Sequence, residues 1–269
     1  MNKSTDQPLV DIVMPAYNAG AYIEQSIKSV LQQNYDNWRL WICNDASTDH
    51  TINIAKKYSH TFDKITILIH NANQGPAAAR NTCLQRCDGD YIAFLDSDDT
   101  WHPDKLLCQV QAMRTFGLLI SYTEYWATSK NKHKKIITLP TSINLGSLLK
   151  KNSILLSSAM IRRDNSHVYT MPNVPHEDYV FWCRLFKDSK ITAHLVRHHE
   201  PLCTYRLAPN SLSHNKLRAA YWHWINLRRD LNLPLPVVIF NFTAYILSSI
   251  NKYKENCCLS MIKPIRTKL

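Results

Sequence analysis

The chain of 269 residues holds only 5 glycines, and none falls in a G-x-G-x-x-G or G-x-x-x-x-G-K-[S/T] turn of the kind whose backbone amides cradle phosphate at a helix start. The turn after the first apolar run reads Pro15-Ala16-Tyr17-Asn18-Ala19-Gly20 instead. Any phosphate bound here must be neutralised by other means, and a divalent metal held by aspartates is the other common one. An apolar leader is missing too: Met1 to Pro8 is polar, which predicts a chain that is not secreted and works in the cytoplasm. The uncharged stretch from Leu233 to Ile250 is diluted by Asn241, Thr243, Ser248 and Ser249, so it is marginal for crossing a bilayer. The 8 cysteines include no second pair at metal-binding spacing beside Cys83 and Cys87. In a chain long enough to bury a full core they are expected to be reduced. No internal repeat or low-complexity tract is evident, and 45% apolar with 20% charged residues excludes a disordered chain.

What is abundant is positive charge. Lys and Arg number 32 against 21 Asp and Glu, a net +11, which points to an anionic partner: nucleic acid, an acidic membrane face or a phosphorylated substrate. The basic residues are dispersed rather than interleaved with stacking aromatics in one patch, which argues against nucleic acid. The run Lys130 to Lys135 reads as an exposed loop. Arg228, Arg229, Lys252 and Lys254 flank Leu233 to Ile250, so that segment suits a helix lying along an anionic membrane, or one packed on the domain.

The order of elements follows from periodicity. Apolar strand-like runs at Leu9–Met14, Trp38–Cys43, Ile65–Ile69 and Tyr91–Leu95 alternate with helical patterns at Ile23 to Gln33, residues 50–59 and Ala77–Arg86. Such alternation predicts a mainly parallel sheet with right-handed crossovers. Further on, Leu118–Trp126 is apolar and aromatic, Ile154–Ile161 reads as a strand, and helices are expected after Glu177 and around Tyr221, Trp222 and Trp224.

The chemistry concentrates where strands end. The fourth run empties into Asp96-Ser97-Asp98-Asp99, and like charges this close are costly unless a cation or donors neutralise them. Oxygen ligands there suit Mg²⁺ or Mn²⁺, at the sheet edge where α/β folds bind ligands. The alternative is a helix cap, with Thr100 or His102 opening a helix and Pro103 at its first position. Asp45 ends the second strand, where a nucleoside is often held, or caps the next helix beside Ser47. Arg80 stands in the first turn of its helix, where a cation opposes the helix dipole unless an anion or base justifies it. His176-Glu177-Asp178-Tyr179 opens another helix with acids.

Five ordered motifs, Met14-Pro15-Ala16-Tyr17-Asn18, Asn44-Asp45-Ala46-Ser47-Thr48-Asp49, Asn73 to Asn81 (NQGPAAARN), Leu95-Asp96-Ser97-Asp98-Asp99 and His176-Glu177-Asp178-Tyr179, together resemble the inverting family-2 glycosyltransferases. That resemblance implies the glycosyltransferase-A fold, an α/β architecture with a mainly parallel Rossmann-like sheet flanked by helices, here with a C-terminal helical appendage. It implies a polar tail at 1–8, a catalytic domain over 9–210 (9–101 for the nucleotide, 102–210 for the acceptor) and a helical, membrane-associating region over 211–269. A nucleotide-sugar donor, UDP-linked in most of the family, is implied, with Pro15, Tyr17, Asn18, Asp45, Arg80, Asp96 and Ser97 around it. Asp96 and Asp98 match the D-x-D pair on Mn²⁺ or Mg²⁺, and His214 resembles a histidine that some members place on the metal. Asp178 matches the catalytic base, with Glu177 beside it as the next candidate. Asn44 replaces the family's first aspartate in the second motif. The implied acceptor is a glycan or a saccharide on a polyprenyl diphosphate in cell-surface polysaccharide synthesis, at the inner face of the membrane. A sugar nucleotidyltransferase and a nucleic-acid-binding module remain the alternatives, the first lacking its N-terminal glycine-rich signature.

Overall fold

The computed structural model describes residues 7–128, 134–164, 169–189, 191–207 and 216–261. The expectations for His214 and for residues 130–133 lie outside them. β1 (Val10–Ala16) is buried at every position, and it pairs in parallel with β2 (Trp38–Asp45) on one side and β4 (Tyr91–Phe94) on the other. Cover on both faces explains why Asp11 is its only polar residue. Between them come α1 (Ile23–Leu31), α2 (Thr51–Thr61), β3 (Ile65–His70) and α3 (Pro76–Leu84). Pro76 opens α3 with its φ already set and no amide to lose. Each of these elements lies within a residue or two of its sequence pattern.

After β4 the pattern is less regular. β5 (Thr100–Trp101) is followed by α4 (Lys105–Phe116), which opens at Lys105 with no side-chain cap from Asp104. The aspartate cluster is therefore not a helix cap. Next come β6 (Ile120–Tyr122), β7 (Tyr125–Thr128), β8 (Lys134–Ile137), β9 (Ser142–Ile143) and α5 (Leu145–Lys150), the last held by a capping box between Asn144 and Ser147. The end of the basic run thus lies in a strand rather than a loop. Ile154–Ile161 is not one strand either: a 3₁₀ turn, Leu156–Ser158, precedes β10 (Met160–Arg162). Then follow α6 (Glu177–Ser189), β11 (Ala193–Leu195), β12 (Cys203–Arg206), α7 (Lys216–Ile225), a π-helical turn over Asn226–Asp230 and α8 (Leu235–Met261).

The main sheet runs β3-β2-β1-β4-β10-β6-β11-β9, and a smaller one runs β5-β12-β7-β8. β10 and β9 are antiparallel to their neighbours, so the main sheet is mixed. Successive residues of β1 face opposite layers: Ile12 and Met14 pack with Ile23, Ile27, Ala55, Leu106 and Val110 of α1, α2 and α4, while Val13 packs with α3, α5 and α6 around Trp182. Among the described residues no helix is long and apolar enough to cross a membrane.

Candidate active site

The turns that follow β1, β2, β3 and β4 converge at one edge of the sheet. The β1–α1 turn is fastened to the β2–α2 turn: Asn18 N–H donates to Ser47 Oγ at 3.0 Å and Thr48 N–H donates to Asn18 Oδ1 at 2.9 Å. Asn18 takes φ 47°, which asparagine tolerates better than most residues. Asp49 Oδ2 accepts from Gly20 N–H at 2.9 Å, close enough that a Cβ at Gly20 would collide with it. Pro15 is buried within β1, whereas Tyr17 stands 51% exposed at the rim.

Asp45 does not cap α2. Its buried carboxylate reaches the β3–α3 turn, where it accepts from Gln74 N–H at 2.9 Å, Gly75 N–H at 2.8 Å and His70 Nδ1 at 2.7 Å. Gly75 takes φ 88°, a conformation that favours glycine, and this lets consecutive amides point at one carboxylate. Arg80 follows one turn later. Its guanidinium donates through Nη2 to Asp96 Oδ1 and through Nη1 to Glu177 Oε1, both at 2.6 Å, while Nε is buried without a partner. Burial works against its charge, but the Asp96 and Glu177 carboxylates prevail and raise its pKa. One buried cation thus joins motifs far apart in the chain.

The three aspartates after β4 have different surroundings. Asp99 is fully buried and accepts from Ser157 Oγ at 2.5 Å and Arg206 N–H at 2.9 Å. Burial, with the charges of Asp96 and Asp98, pushes its carboxyl well above the usual range. Asp96 N–H donates to Ser157 Oγ at 3.1 Å, and Ser97 C=O accepts from Ser26 Oγ at 2.9 Å. The Asp98 carboxylate receives no hydrogen bond or ion pair from another described side chain, and burial followed by Asp96's charge pushes its pKa up to about 6. A partly desolvated oxygen pair needing a cation is what a hard divalent ion satisfies. Among the described residues no cluster of three His, Cys, Asp or Glu could hold a metal alone. Asp96 and Asp98 fit instead the sparse protein ligation of Mg²⁺-type sites, where substrate phosphates complete the shell.

On the far side, Asn81 clamps Met171 through two hydrogen bonds of 2.9 and 2.7 Å, and His176, at φ 58°, turns the chain into α6. This brings Glu177 onto Arg80. Asp178, next along, accepts from Asn152 Nδ2 at 2.9 Å. Burial, then the charge of Glu177, raises its pKa. Asn152 and Ser157, within six positions of each other, therefore brace Asp178 on one side and the aspartate cluster on the other. Arg206 completes the rim: Nε donates to the Asp98 carbonyl at 3.1 Å and the guanidinium lies 4.4 Å from the Tyr22 ring centroid. Sequence reasoning missed Asn152, Ser157 and Arg206. The Ser157-Ser158 pair inside an apolar run was the only local signal.

The structure thus gathers Tyr17, Asn18, Asp45, Arg80, Asp96, Ser97, Asp98, Glu177 and Asp178 at or beneath one sheet edge. The chain matches the family model described as Glycosyl transferase family 2 over residues 11–171. It is 34% identical over 249 residues to the UDP-Glc:alpha-D-GlcNAc-diphosphoundecaprenol beta-1,3-glucosyltransferase WfgD of Escherichia coli, covering 92% of this chain and 96% of that protein. Its fold matches that of S. aureus TarS 1-349 in complex with UDP-GlcNAc with TM-score 0.68 at 15% identity, over 95% of this chain and 76% of the other. It matches the mannosyltransferase PcManGT of Pyrobaculum calidifontis, in complex with GDP-Man and Mn2+, with TM-score 0.61 at 18% identity, over 98% and 83%.

Proposed function

Because the chain belongs to glycosyl transferase family 2, we propose that it moves a sugar, with inversion, from a UDP-sugar to a hydroxyl of a saccharide carried on a polyprenyl diphosphate in cell-surface polysaccharide synthesis. The observation that carries this reading is the Arg80 bridge, which sets the donor-side Asp96 and the acceptor-side Glu177 on one guanidinium. The 34% identity to a glucosyltransferase named for a GlcNAc-diphosphoundecaprenol acceptor supports the acceptor class.

In this reading Tyr17 and the Asn18–Thr48 clasp receive the nucleoside, with Asp45 holding the Gln74–Gly75 turn as its wall. Asp96 and Asp98 hold Mn²⁺ or Mg²⁺, which when bound supplies positive charge for the departing nucleoside diphosphate. Asp178 takes the proton of the acceptor hydroxyl as that oxygen attacks the anomeric carbon from the face opposite the leaving group. Its raised pKa brings it nearer neutrality, strengthening it as a base. Glu177 remains tied to Arg80 and keeps α6 in place. Residues 9–101 form the donor half, 102–210 the acceptor half, and 211–269 the membrane-facing appendage. α8 rests on the membrane's inner face, since it leaves Leu235, Ile239, Phe240 and Leu247 exposed.

The test is Asp178→Asn. An amide keeps the shape and the helix-start oxygen but cannot take a proton, so turnover should fall by roughly 10²-fold or more with UDP binding and fold retained. Turnover near wild type would remove Asp178 from the role and make Glu177 the next residue to examine.

A further inference from the structure

The region between α8 and Asp178 has a graded chemistry that the proposed reaction does not use. α8 packs on α5, and its outward face carries an apolar strip in which Leu235, Ile239, Phe240 and Leu247 are exposed. Phe240 is 64% exposed, and Lys150, the last residue of α5, lies with Nζ 5.5 Å from its ring centroid. Lys151 and Asn152 follow directly, all three exposed, and Asn152 donates to Asp178. Along one short path the surface therefore changes from apolar to cationic to the proposed base. Neither lysine forms an ion pair with a described residue.

We propose that Lys150 and Lys151 form the subsite for the acceptor's diphosphate, with the lipid portion leading away along α8 and the sugar hydroxyl at Asp178. This rests on the function proposed above and deepens it by assigning where the carrier's charge is read. The chemistry is complementary: a diphosphate esterified to a sugar and a lipid carries negative charge between an apolar chain and a polar ring, in the order that the surface presents. Two ammonium groups attract such charge without demanding one geometry, which suits a flexible linker. The simpler role for lysines after a helix is to offset the carbonyl end of its dipole. That role predicts lost stability and no effect on acceptor KM.

The experiment compares the wild type with Lys150→Gln/Lys151→Gln at saturating UDP-glucose on three acceptors. These are GlcNAc-diphospho-polyprenol in phosphatidylcholine vesicles, GlcNAc-diphosphate on a short alkyl chain in solution, and a short-chain alkyl GlcNAc glycoside without phosphate. The expected result is a KM raised about tenfold for both diphosphates, with kcat and the glycoside unaffected. Lys151→Gln alone, which keeps the Lys150–Phe240 contact, should give about threefold in the same pattern. A loss confined to the vesicle acceptor would make the lysines a bilayer contact and overturn the subsite. An equal change on all three acceptors, or on none, would overturn it too. Asp178→Asn is run alongside: turnover near wild type in that variant on any acceptor removes Asp178 as the base on which this subsite is aligned, whatever the lysine pattern, whereas a fall of about 10²-fold on all three leaves the lysine result to decide.

Discussion

The ends of β2 and β4 each carry an aspartate at the same edge of one sheet, and the two are treated in opposite ways. Asp45 receives three hydrogen bonds and is closed off from solvent. Asp98 receives none from a neighbouring side chain, sits beside Asp96 and has its pKa pushed up to about 6. Sequence motifs rank them equally, but physically Asp45 is an organiser of the wall and Asp98 is a charge left open. Desolvating a carboxylate without a partner lowers stability, and a cation bound at the proposed site would relieve that cost.

The contrast breaks most easily at Asp98. Asp98→Asn should remove metal-dependent UDP binding and lower transfer by about 10³-fold or more, since neutralising the charge that builds on the leaving diphosphate is what lowers the barrier most in such a transfer. Chelation of the wild type should have the same effect. The metal-free variant should melt no lower than the wild type, because the substitution removes an uncompensated charge. UDP titrations with and without Mn²⁺, plus a melting curve, test this. A lowered melting temperature with metal-dependent UDP binding intact would move Asp98 into the structural class of Asp45.

Asp45→Asn should behave in the reverse sense. Asparagine keeps one accepting oxygen but points an NH₂ at an amide that needs an acceptor, so stability should fall by about 1–3 kcal/mol by denaturant unfolding. Donor KM should rise several-fold as the Gln74–Gly75 turn loosens, with kcat at saturation within a few-fold of wild type. Unchanged stability would show that the three hydrogen bonds are incidental and that Asp45 belongs with the open charges.

The same two strands mark how far the sequence could be read. From β1 to β4 each strand is a largely apolar run, with β1, β2 and β4 mostly buried and β3 at the sheet edge, and helical apolar spacing separates them, so local pattern decides the element. The open Asp98 was legible as a crowded cluster. The closed Asp45 was not, because what closes it is a turn 29 residues away. Beyond β4 the determinants become non-local. Ile154–Ile161 has the composition of a strand, but Ser157 must turn inward to reach Asp99 and the Asp96 amide, so the run breaks into a 3₁₀ turn and a short strand. α4 starts later than Pro103 suggested because Thr100 and Trp101 are drawn into a strand against Cys203 and Thr204. Arg206 meets Asp98 only through that second sheet. Apart from the Ser157-Ser158 pair, nothing within a dozen residues of these positions announces those contacts.

The smallest effect is the most discriminating, and it concerns Asn152. Its amide nitrogen donates to Asp178 at 2.9 Å while its oxygen accepts from Ile154 N–H at 3.3 Å, which fixes the amide with its donor toward the base. Asp178 is also faced by Glu177 on its own helix, by Arg80 from α3, by His176 before the helix and by Cys183 one turn on. As the proposed base, Asp178 must be ionised to accept a proton, so activity should be lost as pH falls through its raised pKa. A donor to the ionised form lowers that pKa. Asn152→Ala should therefore raise it further and move the acidic limb of kcat/KM to higher pH by about 0.5–1 unit, less than for a fully buried pair because Asn152 is exposed. On the acidic limb the rate should drop about 3- to 10-fold, then recover toward wild type as pH rises past it. Asn152→Asp, which sets a second carboxylate against the first, should shift the limb further in the same direction. A fall of equal size at every pH would make Asn152 only a brace for the loop before Ser157, and Asp178 would then be oriented by α6 alone.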